Sequence, residues 1–429
     1  MQHPVHAPGG DHAMTASTIS LANPTALGFS PARLDRLHTL ASAYVDSGKL
    51  AGTIMLVARR GEIVHVSACG KRDLASGAPM ELDTIVRIYS MTKPITTVAA
   101  MMLFEDGHFL LDTPVRDFIP TFGDVQVCVG MRKEGPVLAP PARPVTIKDL
   151  MTHTAGLSYG WYQDTPVDRL YQDAKLYDVE GGLAERVDAL AQLPLCFHPG
   201  TGWRYSFATD VLGRVVEVCS GQTLDAFFAD HIFAPLGMTD TFFQVPADKQ
   251  ARLASLYSAY DSFNPGGAGA VDNEGSTMHC IDRADDSTYC RPPKAFSGGG
   301  GLAGTTLDYL RFSQMLLNGG VLDGNRLLGR KTVDLMLMNH LPAQLIPIGV
   351  GDEPSYGHGF GLGGSVVVDL AATNLPGSVG AWGWGGAAST TFWIDPVEDL
   401  IGIFMTQFMP SNHYPVRLEF RRAVYQALI

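Results

Sequence analysis

The sequence predicts a mixed α/β (α+β) fold in which strands from both ends of the chain form one sheet. Short apolar runs typical of strands occur between residues 53 and 67 and return only after residue 366, whereas the pattern between them is mostly helical. This distribution predicts a sheet domain into which a mainly helical domain is inserted. The predicted boundaries are residues 1–29 for an N-terminal extension, 30–88 with 345–429 for the sheet domain, and 89–344 for the inserted domain.

The first part of the sheet domain is predicted to be a helix followed by a hairpin. Ser30 and Pro31 are the hydroxyl cap and first-turn proline that commonly begin a helix, and Gly48 is expected to end it. The runs Thr53–Ala58 and Ile63–Ser67 are separated by a glycine-containing turn. This spacing is typical of two antiparallel strands.

The rest of the chain is predicted to be a series of helices that gives way to strands near its end. Thr92–Glu105 and Thr306–Leu317 are expected to be helical, and Thr146 with Asp149 forms a capping pair that predicts the start of a further helix. The strands expected late in the chain are Val366–Leu370, Thr390–Ile394 and Ile401–Phe408, and a last helix is expected after Pro415.

The composition excludes several classes of protein. The 429 residues include 31 lysines and arginines against 43 aspartates and glutamates, a formal net charge of −12 that disfavours nucleic acid and anionic membranes as partners. Hydrophobic residues make up 46% of the chain, so a large core is expected and intrinsic disorder is excluded. The longest charge-free apolar stretch, Pro94–Phe104, is too short for the ~20-residue helix that crosses a bilayer.

The cysteines and the N-terminal residues indicate in which cellular compartment the protein is expected. Six cysteines are scattered without a C-x-x-C pair, so free thiols are expected, although Cys280 and Cys290 are close enough to bridge. Residues 1–13 are polar and lack the apolar segment of a signal peptide. We therefore expect a cytoplasmic protein that begins with a flexible extension or a vector remnant. Its histidines, His3, His6 and His12, leave metal binding as an alternative.

The first candidate for chemistry is Ser90-Met91-Thr92-Lys93, the one S-x-x-K in the chain. Residues i and i+3 at the start of a helix face the same way, so the hydroxyl and the amine would be neighbours. A serine needs a base to become a nucleophile, and a lysine serves if its pKa is lowered. The alternative is a serine that caps the helix beside a solvated lysine.

Three other motifs carry weaker signals. Gly156–Gly160 satisfies G-x-S-x-G with Ser158 at its centre, but it follows a helical segment rather than a strand, and Gly156 is expected to end that helix. Gly299–Gly304 fits G-x-G-x-x-G but no apolar strand precedes it, which favours a turn over a dinucleotide site. The sequence contains no H-E-x-x-H or C-x-x-C pattern, so neither a metal nor another cofactor is expected.

Taken together, six segments resemble the serine β-lactamase and penicillin-binding-protein superfamily. They are Ser90–Lys93, Leu110–Val115, Leu150–Leu157, Trp203–Ser206, Gly298–Leu302 and Trp384–Gly386. Within it the sequence is similar to the family VIII carboxylesterases, which share the class C β-lactamase fold. The resemblance implies a β-lactamase-like fold, with a mainly antiparallel sheet flanked by helices and a site in the cleft beside the helical domain.

The resemblance also implies a mechanism of acyl transfer. Ser90 would attack the ester carbonyl, while Lys93 and Tyr205 would share the task of moving its proton to the leaving alcohol. To act as a base, Tyr205 would need a pKa lowered by the neighbouring ammonium. The backbone N–H groups of Ser90 and Ala387 would form the oxyanion hole. The residues expected to bind substrate are Trp384, Gly385, Gly386, Tyr159 and Phe207. For Trp161 and Trp203 two alternatives stay open: they line the substrate pocket, or they pack beside it as ordinary core residues.

Two departures from the β-lactamase pattern shape the expected function. The usual Tyr-x-Asn is Tyr205-Ser206-Phe207, and the usual Lys-Thr-Gly is Trp384-Gly385-Gly386, so aromatic surface replaces polar recognition. We expect hydrolysis of short-chain neutral esters, and we expect His153 to be structural. The alternatives are a β-lactamase or D-amino-acid peptidase, an acyltransferase with the same chemistry, and an idle homologue that binds a ligand.

Overall fold

The computed structural model of the chain describes residues 19–133, 135–162, 164–260, 278–351 and 353–429. The extension of residues 1–13 and its three histidines therefore lie outside the described residues. All six cysteines are described and carry free thiols. Among the helices of the described ranges, none is long and apolar enough to cross a membrane.

A sheet of seven antiparallel strands organises the described part of the chain. In chain order the strands are β1 (Gly52–Arg59), β2 (Glu62–Gly70), β3 (His358–Phe360), β4 (Ser365–Val367), β5 (Trp382–Gly385), β6 (Thr391–Asp395) and β7 (Leu400–Thr406). They lie in the order β3-β4-β5-β6-β7-β1-β2. Thr53 of β1 faces Thr406 of β7, so the two ends of the chain meet in the middle of the sheet. The predicted fold class is confirmed.

Helices lie on both faces of this sheet and form most of the remaining structure. Over the described ranges they are α1 (Pro31–Leu34), α2 (Arg36–Asp46), α3 (Thr92–Glu105), α4 (Ile147–Thr152), α5 (Pro166–Asp173), α6 (Leu183–Ala191), α7 (Ala208–Ser220), α8 (Leu224–Phe228), α9 (Ala234–Leu236), α10 (Thr306–Leu317), α11 (Arg330–Leu337), α12 (Leu370–Thr373) and α13 (Val416–Tyr425). Short strand pairs join the loops between them: Val86–Arg87 with Ala303–Gly304, Val127–Arg132 with Gly135–Ala139, Val321–Leu322 with Asn325–Arg326, and Ile348–Val350 with Glu353–Ser355. A three-stranded sheet contains Leu256–Ser258, His279–Asp282 and Phe408–Met409.

The sheet separates two apolar cores. Successive side chains of a strand point to opposite faces, and β1 is buried on both, so it reads as an unbroken apolar run. Ile54 and Leu56 join the core shared with α3 and α10, whereas Met55 and Val57 join the core under α2 and α13. Helix α3 is buried on almost every side because it runs through the larger core. This burial places the residues at its start between the sheet and the helical part.

Several elements match the sequence predictions. The hairpin β1–β2, helix α3 and helix α10 are found where they were expected, and the Thr146–Asp149 capping box is present in both directions. The helix expected after Ser30 is broken at Asp35 into α1 and α2. The boundaries of the inserted domain stay a prediction.

The late strands differ from the predictions in two places. The strand expected to reach Leu370 ends at Val367, because the Asp369 side chain accepts the N–H of Ala372 and caps α12. The strand expected to reach Phe408 divides at Gln407, because Phe408 leaves the main sheet and pairs in parallel with Tyr257. The strands β3 and β5 were not expected at all.

Candidate active site

The position of Ser90 is fixed by the backbone that precedes it. The short strand Val86–Arg87 leads into a 3₁₀ turn over Tyr89–Met91 and then into α3. Tyr89 has φ of +44°, a left-handed conformation that costs a residue with a side chain about 1–2 kcal/mol. The neighbours that hold it include Tyr289, whose ring meets the Tyr89 ring edge-on at 6.1 Å. Ser90 is therefore presented, half-buried, at the start of the helix.

Lys93 lies directly beside the Ser90 hydroxyl. Its Nζ is 3.3 Å from Ser90 Oγ, 3.0 Å from the Tyr159 hydroxyl and 2.5 Å from the carbonyl oxygen of Gly299. Burial lowers the pKa of Lys93 to about 7, although the negative charge of Asp210 raises it in part. Among the described ion pairs, none includes Lys93. A large fraction of the amine is therefore neutral near pH 7.

Tyr205 completes the group around Ser90. Its hydroxyl is a hydrogen-bond partner of Ser90 and accepts the Nε1–H of Trp384 at 3.0 Å. The Lys93 Nζ lies 4.4 Å from the centre of the Tyr205 ring. Burial raises the pKa of Tyr205, and the bonds to Ser90 and Trp384 offset only part of that rise. Tyr205 is therefore a neutral phenol near pH 7, without the lowered pKa that it would need to act as a base.

His153 holds Tyr205 from behind. It ends α4 with φ of +57°, and its Nδ1 is 3.3 Å from Ser206 Oγ. The His153 and Tyr205 rings lie 4.7 Å apart. Burial, together with the charge of Lys93, lowers the pKa of His153, so the ring is neutral. The contacts fit the structural role expected for His153, but the prediction that Gly156 ends the helix is wrong, because α4 already stops at Thr152.

The end of β5 approaches Ser90 from the sheet side. Gly386 donates its N–H to Thr390 O at 2.9 Å, and a side chain at Gly386 would collide with Thr390 and with the carbonyl oxygen of Ile88. Glycine is therefore required for this close approach. Ala387 follows within the same turn and, like Tyr89, packs against the small core of Leu256, Ala388 and Met409. The assignment of the Ser90 and Ala387 N–H groups as an oxyanion hole stays a prediction.

Two groups of aromatic rings line the surroundings of Lys93 and Tyr205. Tyr159 is stacked on Trp161, with ring centres 4.1 Å apart, and packs against the buried Phe207 at 4.5 Å. On the other side, Trp203 and Trp384 lie 6.4 Å and 5.3 Å from the Tyr205 ring. The predicted pocket residues Tyr159, Phe207 and Trp384 are thus brought together around the Ser90 group.

The Ser158 of G-x-S-x-G lies in a different environment. It is fully buried, and its Oγ donates to Asp168 Oδ1 at 2.5 Å while it accepts from Gly160 N at 3.0 Å and from Arg204 Nε at 3.1 Å. Arg204 is in turn paired with Asp168 and Asp164. Every hydrogen-bonding position of this hydroxyl is occupied, and no substrate can reach it.

Two site residues were not found from the sequence. Gly299 belongs to the glycine-rich segment that was interpreted as a turn; it is a turn, and its carbonyl oxygen accepts a hydrogen bond from Lys93. Asp210 is buried in the first turn of α7 and accepts a hydrogen bond from Ser297 Oγ at 2.5 Å. An acidic residue in a first helical turn is commonly explained by the helix dipole, so the sequence held no distinctive signal for it.

Comparison with known proteins places this chain in a family. The Beta-lactamase family matches residues 37–427. The chain belongs to the beta-lactamase family. It is 34% identical to the lovastatin esterase of Penicillium rubens, over 86% of this chain and 91% of that protein. It is 32% identical to esterase EstB of Burkholderia gladioli, over 96% and 100% of the two chains.

A solved structure extends this likeness to the whole fold. The hydrolase EstCE1, described as having promiscuous acyltransferase activity, is 27% identical, with a TM-score of 0.73 over 92% of this chain and 99% of the other. The resemblance inferred from the motifs is confirmed. The protein is a serine hydrolase of the beta-lactamase family, and its chemistry is acyl transfer.

No metal centre is evident in the described ranges. There, no group of three or more histidine, cysteine, aspartate or glutamate side chains is arranged to hold an ion.

Proposed function

We propose that the protein is a carboxylesterase that hydrolyses short-chain neutral esters through an acyl-enzyme on Ser90. The observation that carries the proposal is the contact of Ser90 Oγ with a fully buried Lys93 whose pKa lies about 7. A neutral amine beside a hydroxyl can accept its proton at physiological pH. The names of the two esterase relatives support the same reaction.

We assign the proton transfers to Lys93 and Tyr205, because both contact Ser90. The Lys93 amine takes the Ser90 proton while Oγ forms a bond to the ester carbonyl carbon, and the carbonyl oxygen gains the negative charge. The N–H groups of Ser90 and Ala387 then stabilise that charge. The Tyr205 phenol gives its proton to the departing alkoxide as the ester C–O bond breaks, and the Lys93 ammonium restores it. Water repeats the sequence to release the acid and free Ser90.

The surroundings of Tyr205 favour an uncharged substrate. The residue that protonates the leaving oxygen must lie beside the alcohol part, and Tyr205 is flanked there by Trp384 and Trp203. Arg417 approaches the same strand at Gly385. Neighbouring residues of a strand face opposite sides of the sheet, so this arginine lies on the other face from the Trp384 side chain. A substrate carboxylate beside Trp384 would lack the charge-assisted hydrogen bond that a lysine at this position would donate, which is worth about 1.5–3 kcal/mol.

The test compares kcat/KM for p-nitrophenyl esters of increasing chain length with the values for nitrocefin and a penicillin. We expect the best ester to be short and neutral and to exceed both β-lactams. We also expect acyl chains beyond about eight carbons to be poor substrates, which requires that the aromatic rings around Tyr205 close the cleft. The Ser90→Ala variant measures the background for every substrate. A β-lactam value equal to the best ester would overturn the proposal and favour a β-lactamase or peptidase.

A second candidate is transfer of the acyl group to an alcohol rather than to water. The apolar rings beside Tyr205 favour it, because an alcohol with an apolar substituent would bind where the leaving alcohol was bound. Gas chromatography of a reaction with vinyl butyrate and 1-butanol in buffer would detect butyl butyrate. Absence of this ester while butyrate accumulates would leave hydrolysis as the sole reaction.

A further inference from the structure

Asp210 is a buried carboxylate beside the Ser90 group that the reaction scheme leaves without a task. Only 2% of its surface is exposed, and the described ion pairs give it no cationic partner. An unpaired buried carboxylate is costly, so its surroundings should explain it. Its Oδ1 accepts Ser297 Oγ at 2.5 Å, and its Oδ2 lies against Gly299.

The turn that Asp210 holds is the one that contacts Lys93. The Gly298 carbonyl accepts Thr96 Oγ1 at 2.7 Å, and the next carbonyl, that of Gly299, accepts Lys93 Nζ. Gly298 also has its Cα against the Thr209 backbone, so the turn is wedged between α3 and α7 with no space for side chains. Asp210 therefore fixes, through Ser297, the carbonyl oxygen that orients the Lys93 amine.

The charge of Asp210 acts on the same amine. The other groups that face Lys93 are the hydroxyls of Ser90, Tyr159 and Tyr205 and the imidazole of His153. Burial raises the pKa values of both tyrosines and lowers that of His153, so all of these groups are neutral near pH 7. Asp210 is the negative charge that acts on Lys93, and it favours the ammonium.

We propose that Asp210 is a positioning residue for Lys93, holding its carbonyl acceptor through Ser297 and stabilising the ammonium formed when Lys93 takes the Ser90 proton. The inference rests on the proposed function, because it requires Lys93 to be the base. Without the charge, Lys93 would be a weaker base that is neutral over a wider range of pH. The rate would then fall while the acid limb of the pH profile moved to lower pH.

The experiment compares pH profiles of kcat/KM for a neutral ester in three variants. Asp210→Asn should lower the midpoint of the acid limb by about one pH unit, from near 7, and reduce the maximum several-fold. Ser297→Ala keeps the charge and loses the hydrogen bond, so its rate should fall without this shift. Asp308→Asn is the matched control, since Asp308 is also buried in a first helical turn but serves Asp240 and Thr241. It should leave the midpoint unchanged.

A second readout separates the inference from the proposed function. The rate at which a neutral phosphonate ester modifies Ser90 should show the same acid limb and the same shift in Asp210→Asn. An unchanged midpoint in folded Asp210→Asn overturns the inference alone, whereas a wild-type profile without an acid limb overturns the role of Lys93. If Asp210→Asn does not fold, Asp210→Glu is used: it keeps the charge, so a midpoint that falls by a full unit would contradict the proposal.

Discussion

Two serine motifs of this molecule lie close together in space and have opposite environments. Ser90 is half-buried, and its partners are a lysine whose pKa is lowered to about 7 and a tyrosine that is a neutral phenol. Ser158 is fully buried between Asp168 and Arg204, a charged pair that occupies its hydroxyl completely. The residue after it, Tyr159, nevertheless contacts Lys93.

The difference shows what a nucleophile needs beyond a motif. A serine must have a free lone pair, an accessible face and a base that can accept its proton and later release it. A carboxylate paired with arginine is a weak base, whereas an amine with a pKa about 7 can do both. The Ser158 network therefore holds the segment that carries Tyr159, and Ser90 remains available for chemistry.

The largest expected effect separates the two serines directly. Ser90→Ala should lower kcat for p-nitrophenyl butyrate by about 10⁴-fold or more, because the covalent route is lost. Ser158→Ala should keep kcat within about tenfold. Mass spectrometry after treatment with a fluorophosphonate should find the adduct on Ser90. An inactive but folded Ser158→Ala together with an active Ser90→Ala would reverse the comparison.

The next effect concerns the base of the Ser90 group. Lys93→Ala and Tyr205→Phe should each lower kcat by about 10²–10⁴-fold, and the double variant should lose little more than the worse single variant. The reason is that the two residues act in one proton relay, so losing either one interrupts it. The measurement is a double-mutant cycle on kcat. Losses that multiply would show that the two residues act independently.

For the Ser158 region the expected effect is on stability. Asp168→Asn should lower the free energy of unfolding by roughly 2–3 kcal/mol, less than the ~3–5 kcal/mol for a fully uncompensated buried charge, because Arg204 keeps Asp164. The control Asp164→Asn, at a half-exposed carboxylate, should cost under about 1 kcal/mol. Urea unfolding measures both. Equal losses would mean that burial of Asp168 contributes nothing.

The smallest expected effect concerns the tryptophan rings beside Tyr205. Trp384→Phe removes the indole N–H that donates to the Tyr205 hydroxyl, and should lower kcat/KM about three- to tenfold, the usual value of one hydrogen bond. Trp203→Phe is the matched control, because the buried Trp203 Nε1 lacks a partner in the described structure. Its effect should be smaller. A larger loss in Trp203→Phe would show that ring packing, not the hydrogen bond, sets the position of Tyr205.

The sequence predicted those elements whose local signals agree with their tertiary surroundings. Helix α3 and the hairpin β1–β2 have clear apolar patterns, and their ends were close to the observed ones. Strands β3 and β5 escaped detection because His358–Phe360 and Trp382–Gly385 are short and contain glycines, which are depleted in strands. They are strands only because neighbouring strands supply their hydrogen bonds.

The site was predictable to a similar extent. Motifs brought Ser90, Lys93, Tyr205 and the Trp384 segment into one hypothesis, and the structure places them together. The protonation states were not predictable, since the pKa of Tyr205 depends on how deeply the folded chain buries it. The contact between Asp210 and the glycine turn was equally hidden, because it joins segments that are distant in sequence.

The pairing of Thr53 with Thr406 has a consequence for how the protein is made. At about 5–20 residues per second, a ribosome adds the roughly 350 residues between them in about 20–70 seconds. During that time the edge of β1 that will bind β7 has no partner, and an unpaired apolar edge is a template for aggregation. Ser90 and Lys93 are synthesised early and Trp384 late. A nascent chain that stops before β5 contains both residues but lacks the strand that carries Trp384. We therefore expect such a chain to need chaperone protection and to have no esterase activity.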